Sequence, residues 1–174
     1  MSSKYTKTAM LLHWLSAALV VGLFAIGWTM VDLPKGPARG ATFALHKSLG
    51  LTVLMLTLWR FGWRLRHAAP ALPSTLPAWQ ATLARAVHVT FYVLLLLQPI
   101  TGYLSSSFSG YSTKFFGLPL PEWGTHDPPL NEFFTEIHVL GSITLLLLIG
   151  THVAGAISHV VVPGDRLLRR MLPW

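Results

Sequence analysis

The sequence predicts an all-α integral membrane protein, a bundle of four transmembrane helices forming one membrane domain over residues 1–174. Three observations carry that expectation. The chain is 52% hydrophobic and only 11% charged, with a mean hydropathy of +0.54, more apolar than the core of a soluble domain of this length requires. Its apolar residues gather into four runs, at about 8–31, 42–64, 83–106 and 132–162, each long enough to cross a hydrocarbon layer about 30 Å thick at about 1.5 Å per residue. Proline, glycine and basic residues fill the segments between them, where helices break and membranes end. The net charge of +7 sits in those short segments, so it reads as an orientation signal, with no nucleic-acid partner implied. Without cysteine, disulfides, thiolate-held clusters and covalently attached c-type haem are all excluded.

The first run follows a polar tail with Lys4 and Lys7. Signal peptides also begin with basic residues, but this run is about 24 residues long, lacks an A-x-A exit and carries His13, which predicts a retained spanning helix. Trp14 and Trp28 near its ends suit the two interfacial belts. Pro34, Gly36, Pro37 and Gly40 then form a short connection. In the second run His46 enters one turn inside the start, Gly50 follows on the same face, and Trp59, Arg60, Trp63, Arg64 and Arg66 mark the exit.

A loop with Pro70, Pro73 and Pro77 and an interfacial lead over Trp79–Arg85 introduce the third run, which holds His88 near its start. Pro99, after Gln98, should kink this helix and free a carbonyl that needs a partner from a neighbouring helix. The segment from Ser107 to Asn131 is the longest connection, and Phe115, Phe116, Trp123 and four prolines predict a structured cap on the membrane surface. The fourth run carries His138, His152 and His159, and a basic tail with Arg166, Arg169 and Arg170 follows it.

Charge sets the expected orientation. Lys4, Lys7, Arg60, Arg64, Arg66, Arg85, Arg166, Arg169 and Arg170, nine of the thirteen basic residues, fall on one side, against Lys35, Arg39, Lys47 and Lys114 on the other. By the positive-inside rule both termini are cytoplasmic.

The histidines then sort by depth. Fourteen residues return almost to the same helical direction, so His138 and His152 share one face of the fourth helix, about 21 Å apart along its axis. His159 extends the stripe. His46 and His138 both lie about four residues inside the outer boundary and can face one another. His13 lies near the inner boundary, where depth allows His152 or His159 as its partner. Two imidazoles facing each other inside a bilayer suit a non-covalent, bis-histidine haem b, each ring giving one nitrogen to iron. Glycines beside them, Gly50, Gly141 and Gly155, with Gly22 and Gly27 on the first helix, would let a flat ring approach the backbone. A lone intramembrane histidine can equally be a packing residue, but two depth-matched pairs with neighbouring glycines are better explained as ligands. Six-coordinate iron favours electron transfer over oxygen binding, so two such haems make a wire across the membrane. His67 and His126 fall in loops and read as solvated; His88 and His159, near the inner surface, suit either packing or a quinone or proton site.

Along essentially its whole length the chain resembles the bacterial cytochrome b561 family of di-haem membrane proteins. The similar stretches are LLHWLSAALV, LHKSLG with LWRFGWRL, HVTFYVLLLLQPITGY, EIHVLGSITLLLLIGTHVAGAISH and DRLLRRMLP. The resemblance implies four transmembrane helices in the bacterial inner membrane and two haem b groups, with ligands at the matching His13 and His152 (inner) and His46 and His138 (outer). Where family members often carry a second histidine beside the position matching His159, this chain has Val160. It further implies oxidation of superoxide outside and reduction of a membrane quinone such as ubiquinone. Lys35, Arg39, Lys47 and Lys114 would then steer the anion, offset by Asp32, Glu122, Asp127, Glu132 and Glu136 on the same side. Arg85, His88, His159 and Arg166 are the inner candidates for a quinone head group or proton transfer. Two other functions use the same histidines. One is a haem b anchor subunit passing electrons between a partner dehydrogenase or hydrogenase and quinone. The other is a zinc or copper transporter, which the lack of cysteine and of acidic residues at helix centres disfavours.

Overall fold

The computed structural model describes residues 4–72, 76–161 and 167–172. Four helices, α1 (Lys7–Asp32), α2 (Pro37–Arg66), α3 (Ala78–Phe108) and α4 (Pro128–Val161), account for most of the chain. All four are long and apolar enough to span a membrane. A two-stranded hairpin, β1 (Lys114–Phe115) and β2 (Leu118–Pro119), lies between α3 and α4, and a 3-10 turn, Leu168–Met171, follows α4.

The helix starts are set by local chemistry as much as by hydropathy. Thr6 caps α1, its hydroxyl accepting from the Ala9 amide at 3.2 Å. α2 starts at Pro37, ahead of the apolar run, because proline at the first helical position gives up an N–H that has no partner there anyway. Residues 79–85, expected as an interfacial lead, are helical and form the first turns of α3 itself. α4 likewise opens early, at Pro128, where the Asp127 carboxylate accepts from the Leu130 amide at 3.1 Å.

Close packing runs α1 on α2, α2 on α3 and α3 on α4. The apolar centre is formed by Val20, Val53 and Leu145, flanked by Leu19, Leu23, Phe24, Phe91, Leu94, Leu95 and Ile149. Leu145 stands two helical turns from both His138 and His152, and Val53 two turns from His46, so this layer divides the bundle into two levels. Leucines and valines on the outer faces, among them Leu11, Val21, Leu97 and Leu147, are exposed, as lipid-facing positions require.

One end of the bundle, here called proximal, gathers the two chain ends. The Trp63 indole donates to the Thr6 hydroxyl at 2.9 Å, the Trp14 indole to the Met171 carbonyl at 2.9 Å, and the Tyr5 amide to the Arg170 carbonyl at 3.2 Å. The opposite, distal end carries the hairpin. Phe116 and Gly117, both at positive φ (45° and 93°), make the tight two-residue turn that a right-twisted hairpin favours. Ser48 of α2 clasps it, accepting from the Phe116 amide at 3.0 Å while its own hydroxyl lies 2.8 Å from the Ala44 carbonyl and 3.3 Å from that of Lys114. Tyr103 donates to the Pro121 carbonyl, and the Ser106 and Thr113 hydroxyls are bonded at 2.6 Å. This is the structured cap expected over 107–131.

Candidate functional site

Two histidine pairs face each other across the bundle, one at each level. Distally, His46 of α2 meets His138 of α4 with ring centres 6.3 Å apart and planes at 78°. Proximally, His13 of α1 meets His152 of α4 at the same 6.3 Å and 76°. α4 packs closely on α3, so the paired rings reach across to the two helices it does not closely abut.

The spacing can be tested against metal chemistry. An imidazole nitrogen lies about 1.1 Å from its ring centre and binds a transition metal at about 2.0–2.1 Å, so rings on opposite sides of one ion have centres roughly 6.2–6.4 Å apart. Both pairs meet that requirement. Among the described residues no three His, Asp or Glu side chains converge on one point. Two imidazoles at each level, their ring centres spaced for one metal between them and set in apolar helices, therefore fit a metal whose other ligands come with it, as a porphyrin's do.

The nitrogens turned away from the partner ring have very different neighbours. Nδ1 of His138 donates to the carbonyl of Gln98, the residue before Pro99 in α3, at 2.9 Å. The carbonyl freed by Pro99 is that of Leu95, one turn earlier; the cross-helix bond forms at Gln98, which also accepts from the Thr101 hydroxyl at 3.0 Å. Gly102 makes room for this ring, since a Cβ there would stand 3.1 Å from Cε1 of His138. His46 packs on Gly27 of α1, where a Cβ would stand 3.3 Å from its Cε1, and its buried Nδ1 has no completed hydrogen bond. His13 differs. Its Nδ1 lies 3.1 Å from Nη1 of Arg60 on α2, and arginine can only donate. His152 is flanked by His88 at 5.7 Å and Phe91 at 5.4 Å, both edge-on.

Sequence reasoning counted Arg60 only as a topology signal and passed over Gly102. Arg60 had a visible marker: it follows His46 by fourteen residues, the same interval that separates His138 from His152.

The other expected residues are scattered. His88 joins the proximal cluster through His152, while Arg85 is exposed on α3. His159 lies two turns beyond His152, half-buried, and Arg166 falls outside the described residues. At the distal end Lys35 and Lys114 are exposed and Lys47 is half-buried. Arg39 is tied down, donating to the Leu33 carbonyl at 3.1 Å with its guanidinium 5.5 Å above the Phe43 ring. His67 stacks on Trp63 at 4.0 Å and His126 bonds the Phe108 carbonyl at 3.1 Å, both away from the pairs.

Two cavities adjoin the proximal pair. One is lined by Tyr5, Thr6, Arg60, Trp63, Arg64 and Tyr92 among others. The second lies between Ser16, Thr57, Arg60, Phe91, Tyr92 and Leu95. The hydroxyls of Ser16 and Thr57 are buried without a hydrogen-bond partner, leaving polar groups in that wall available to a bound molecule.

A sequence profile of the family described as prokaryotic cytochrome b561 matches residues 4–174. Among curated proteins the chain is similar to cytochrome b561 homolog 2 of Escherichia coli K12, at 33% identity over 92% of this chain and 86% of that one. Cytochrome b561 homolog 1 of the same organism is 27% identical over 98% of both chains. A probable superoxide oxidase, CybB, of Yersinia pestis is 28% identical over 99% of this chain and 98% of the relative.

Proposed function

The chain belongs to the prokaryotic cytochrome b561 family, and from that premise we propose that it carries electrons across the bacterial inner membrane through two b haems, taking them from superoxide at the distal face and giving them to ubiquinone at the proximal face. The family's members are membrane-spanning electron-transfer cytochromes that bind haem b. The observation that carries the finer reading is the pair of matched ring separations, 6.3 Å at each level, on either side of one apolar layer. His46 and His138 are the proposed distal ligands, and His13 and His152 the proximal ones.

Haem b held between two imidazoles supplies reversible one-electron chemistry with no coordination position left for oxygen. The protein's residues do the rest. Lys35, Lys47, Lys114 and Arg39 are the proposed local steering charges for a small anion approaching the distal pair, set among Asp32, Glu122, Asp127, Glu132 and Glu136 at the same end. Each superoxide gives up one electron and leaves as dioxygen, and the quinone takes two electrons and two protons. Arg85, His88, His159 and Arg166 are the proposed quinone and proton contacts, with His88 nearest the proximal pair. The excess of lysine and arginine near the proximal end supports placing both termini in the cytoplasm, which puts the distal pair on the periplasmic side. The superoxide assignment draws on the name of the Yersinia relative, a probable superoxide oxidase.

The test is superoxide-dependent quinone reduction by the purified protein, with superoxide generated enzymatically and quinol followed directly. The expected result is quinol formation that superoxide dismutase abolishes and that His46→Ala loses. No quinol formation with superoxide, in protein retaining both haems, would overturn superoxide as the donor and point to a partner protein in its place.

A further inference from the structure

We propose that Arg60 raises the reduction potential of the proximal haem above that of the distal haem by holding a fixed positive charge against the back of His13. The inference rests on His13 and the other three histidines being haem ligands. Arg60 lies within a membrane-spanning helix, its Nη1 3.1 Å from Nδ1 of His13; with Nε2 committed to iron that Nδ1 carries the ring proton, so Arg60 acts there as a neighbouring charge and not as a hydrogen-bond donor. Guanidinium keeps its charge at any physiological pH, and placing it inside a membrane is costly unless it has an interior task or partner. Among the described residues no acidic side chain neutralises it there. Asp32, Glu122, Asp127, Glu132 and Glu136 all belong to the distal end, Asp165 lies outside the described residues, and no acidic side chain lines either cavity that Arg60 borders.

The distal level is built the other way. His138 donates its Nδ1 proton to the Gln98 carbonyl at 2.9 Å. A carbonyl acceptor makes an imidazole a stronger donor to iron and favours the oxidised metal. A cation on the far side of the ring does the reverse: reduction removes one positive charge from the iron, and a neighbouring positive charge makes that change more favourable. The two levels share the same ligand type and the same ring spacing, 6.3 Å, so what distinguishes them is what stands behind the rings. The resulting difference runs downhill from distal to proximal, the direction the proposed reaction needs.

Arg60 is thus a positioning and tuning residue, touching a ligand and not the reacting molecules. The test is a redox titration of the purified two-haem protein, followed by absorption, for wild type, Arg60→Gln, Arg60→Lys and His46→Ala, with haem per chain measured on each. Wild type should show two waves, and His46→Ala, which keeps the proximal haem alone, should retain the upper one. Arg60→Gln should lower the upper wave by at least a tenfold change in its equilibrium, about 59 mV for one electron, leaving the lower wave in place. Arg60→Lys keeps a charge and should restore most of the shift. Retention of the lower wave in His46→Ala overturns the proposal, even if Arg60→Gln sheds the proximal haem. So does an Arg60→Gln protein with both haems and wild-type potentials. A wild-type protein with no haem would instead remove the ligand assignment on which the inference stands.

Discussion

At the scale of single residues, the space around each distal imidazole is set by a glycine on a different helix. Gly102 of α3 faces His138 and Gly27 of α1 faces His46, and a side chain at either would enter the ring's contact shell. Gly102→Val should push His138 off the Gln98 carbonyl and cost the distal haem. The expected outcome is about half the wild-type haem per chain with the proximal spectrum intact, measured by haem extraction against protein concentration; full occupancy would contradict it. The sequence points to glycines on the ligands' own helices as clearance for a flat ring, and their surroundings differ. Gly141 faces the Gln98 side chain, where a Cβ would stand 2.6 Å from Oε1, and Gly50 and Gly155 have nothing within 4 Å. Gly27 was legible, whereas Gly102 depends on how α3 rotates against α4, a tertiary fact that no local spacing encodes. Arg60 was hidden for another reason: at a helix end, a basic residue already has a sufficient explanation in topology.

Among the elements, the four helices were readable because apolar run length decides them, while their starts were shifted by capping chemistry at Pro37 and Asp127. The hairpin was legible only as a cap. Its docking depends on one buried hydroxyl, Ser48, two residues from His46, which accepts from the Phe116 amide. Ser48→Ala leaves that amide unpaired and should loosen the cap by about 1–3 kcal/mol. Hydrogen exchange should then quicken at Phe116 while the amides of α2 and α3 stay protected; unchanged exchange would mean that the clasp contributes nothing. Phe116 sits at φ 45°, a conformation that suits Asn or Gly better than a bulky residue. Phe116→Asn should therefore slow exchange in the hairpin, and faster exchange would show that the exposed ring, not the backbone, holds the turn.

For the whole molecule, the apolar layer of Val20, Val53 and Leu145 separates two metal-sized gaps, and the basic residues choose which gap faces which compartment. The absence of native cysteine makes the orientation directly measurable. Lys35→Cys and Arg169→Cys place single thiols at exposed positions of the two ends. A membrane-impermeant maleimide added to intact spheroplasts should label the first at once and the second only after lysis; the opposite order would invert the electron path. The two-level architecture itself was legible from the fourteen-residue interval on α4; depth left His152 or His159 as the partner of His13, the family resemblance implied His152, and the rings of His13 and His152 face each other.

The central claim is that four histidines hold two haems in two separate pairs. Its most direct test is the reduced-minus-oxidised spectrum, with haem counted per chain, of wild type, His46→Ala and His152→Ala. Two b haems in the wild type and one in each variant, with a different spectral component surviving, is the predicted result. One haem per wild-type chain, or the same component lost from both variants, would contradict the pairing.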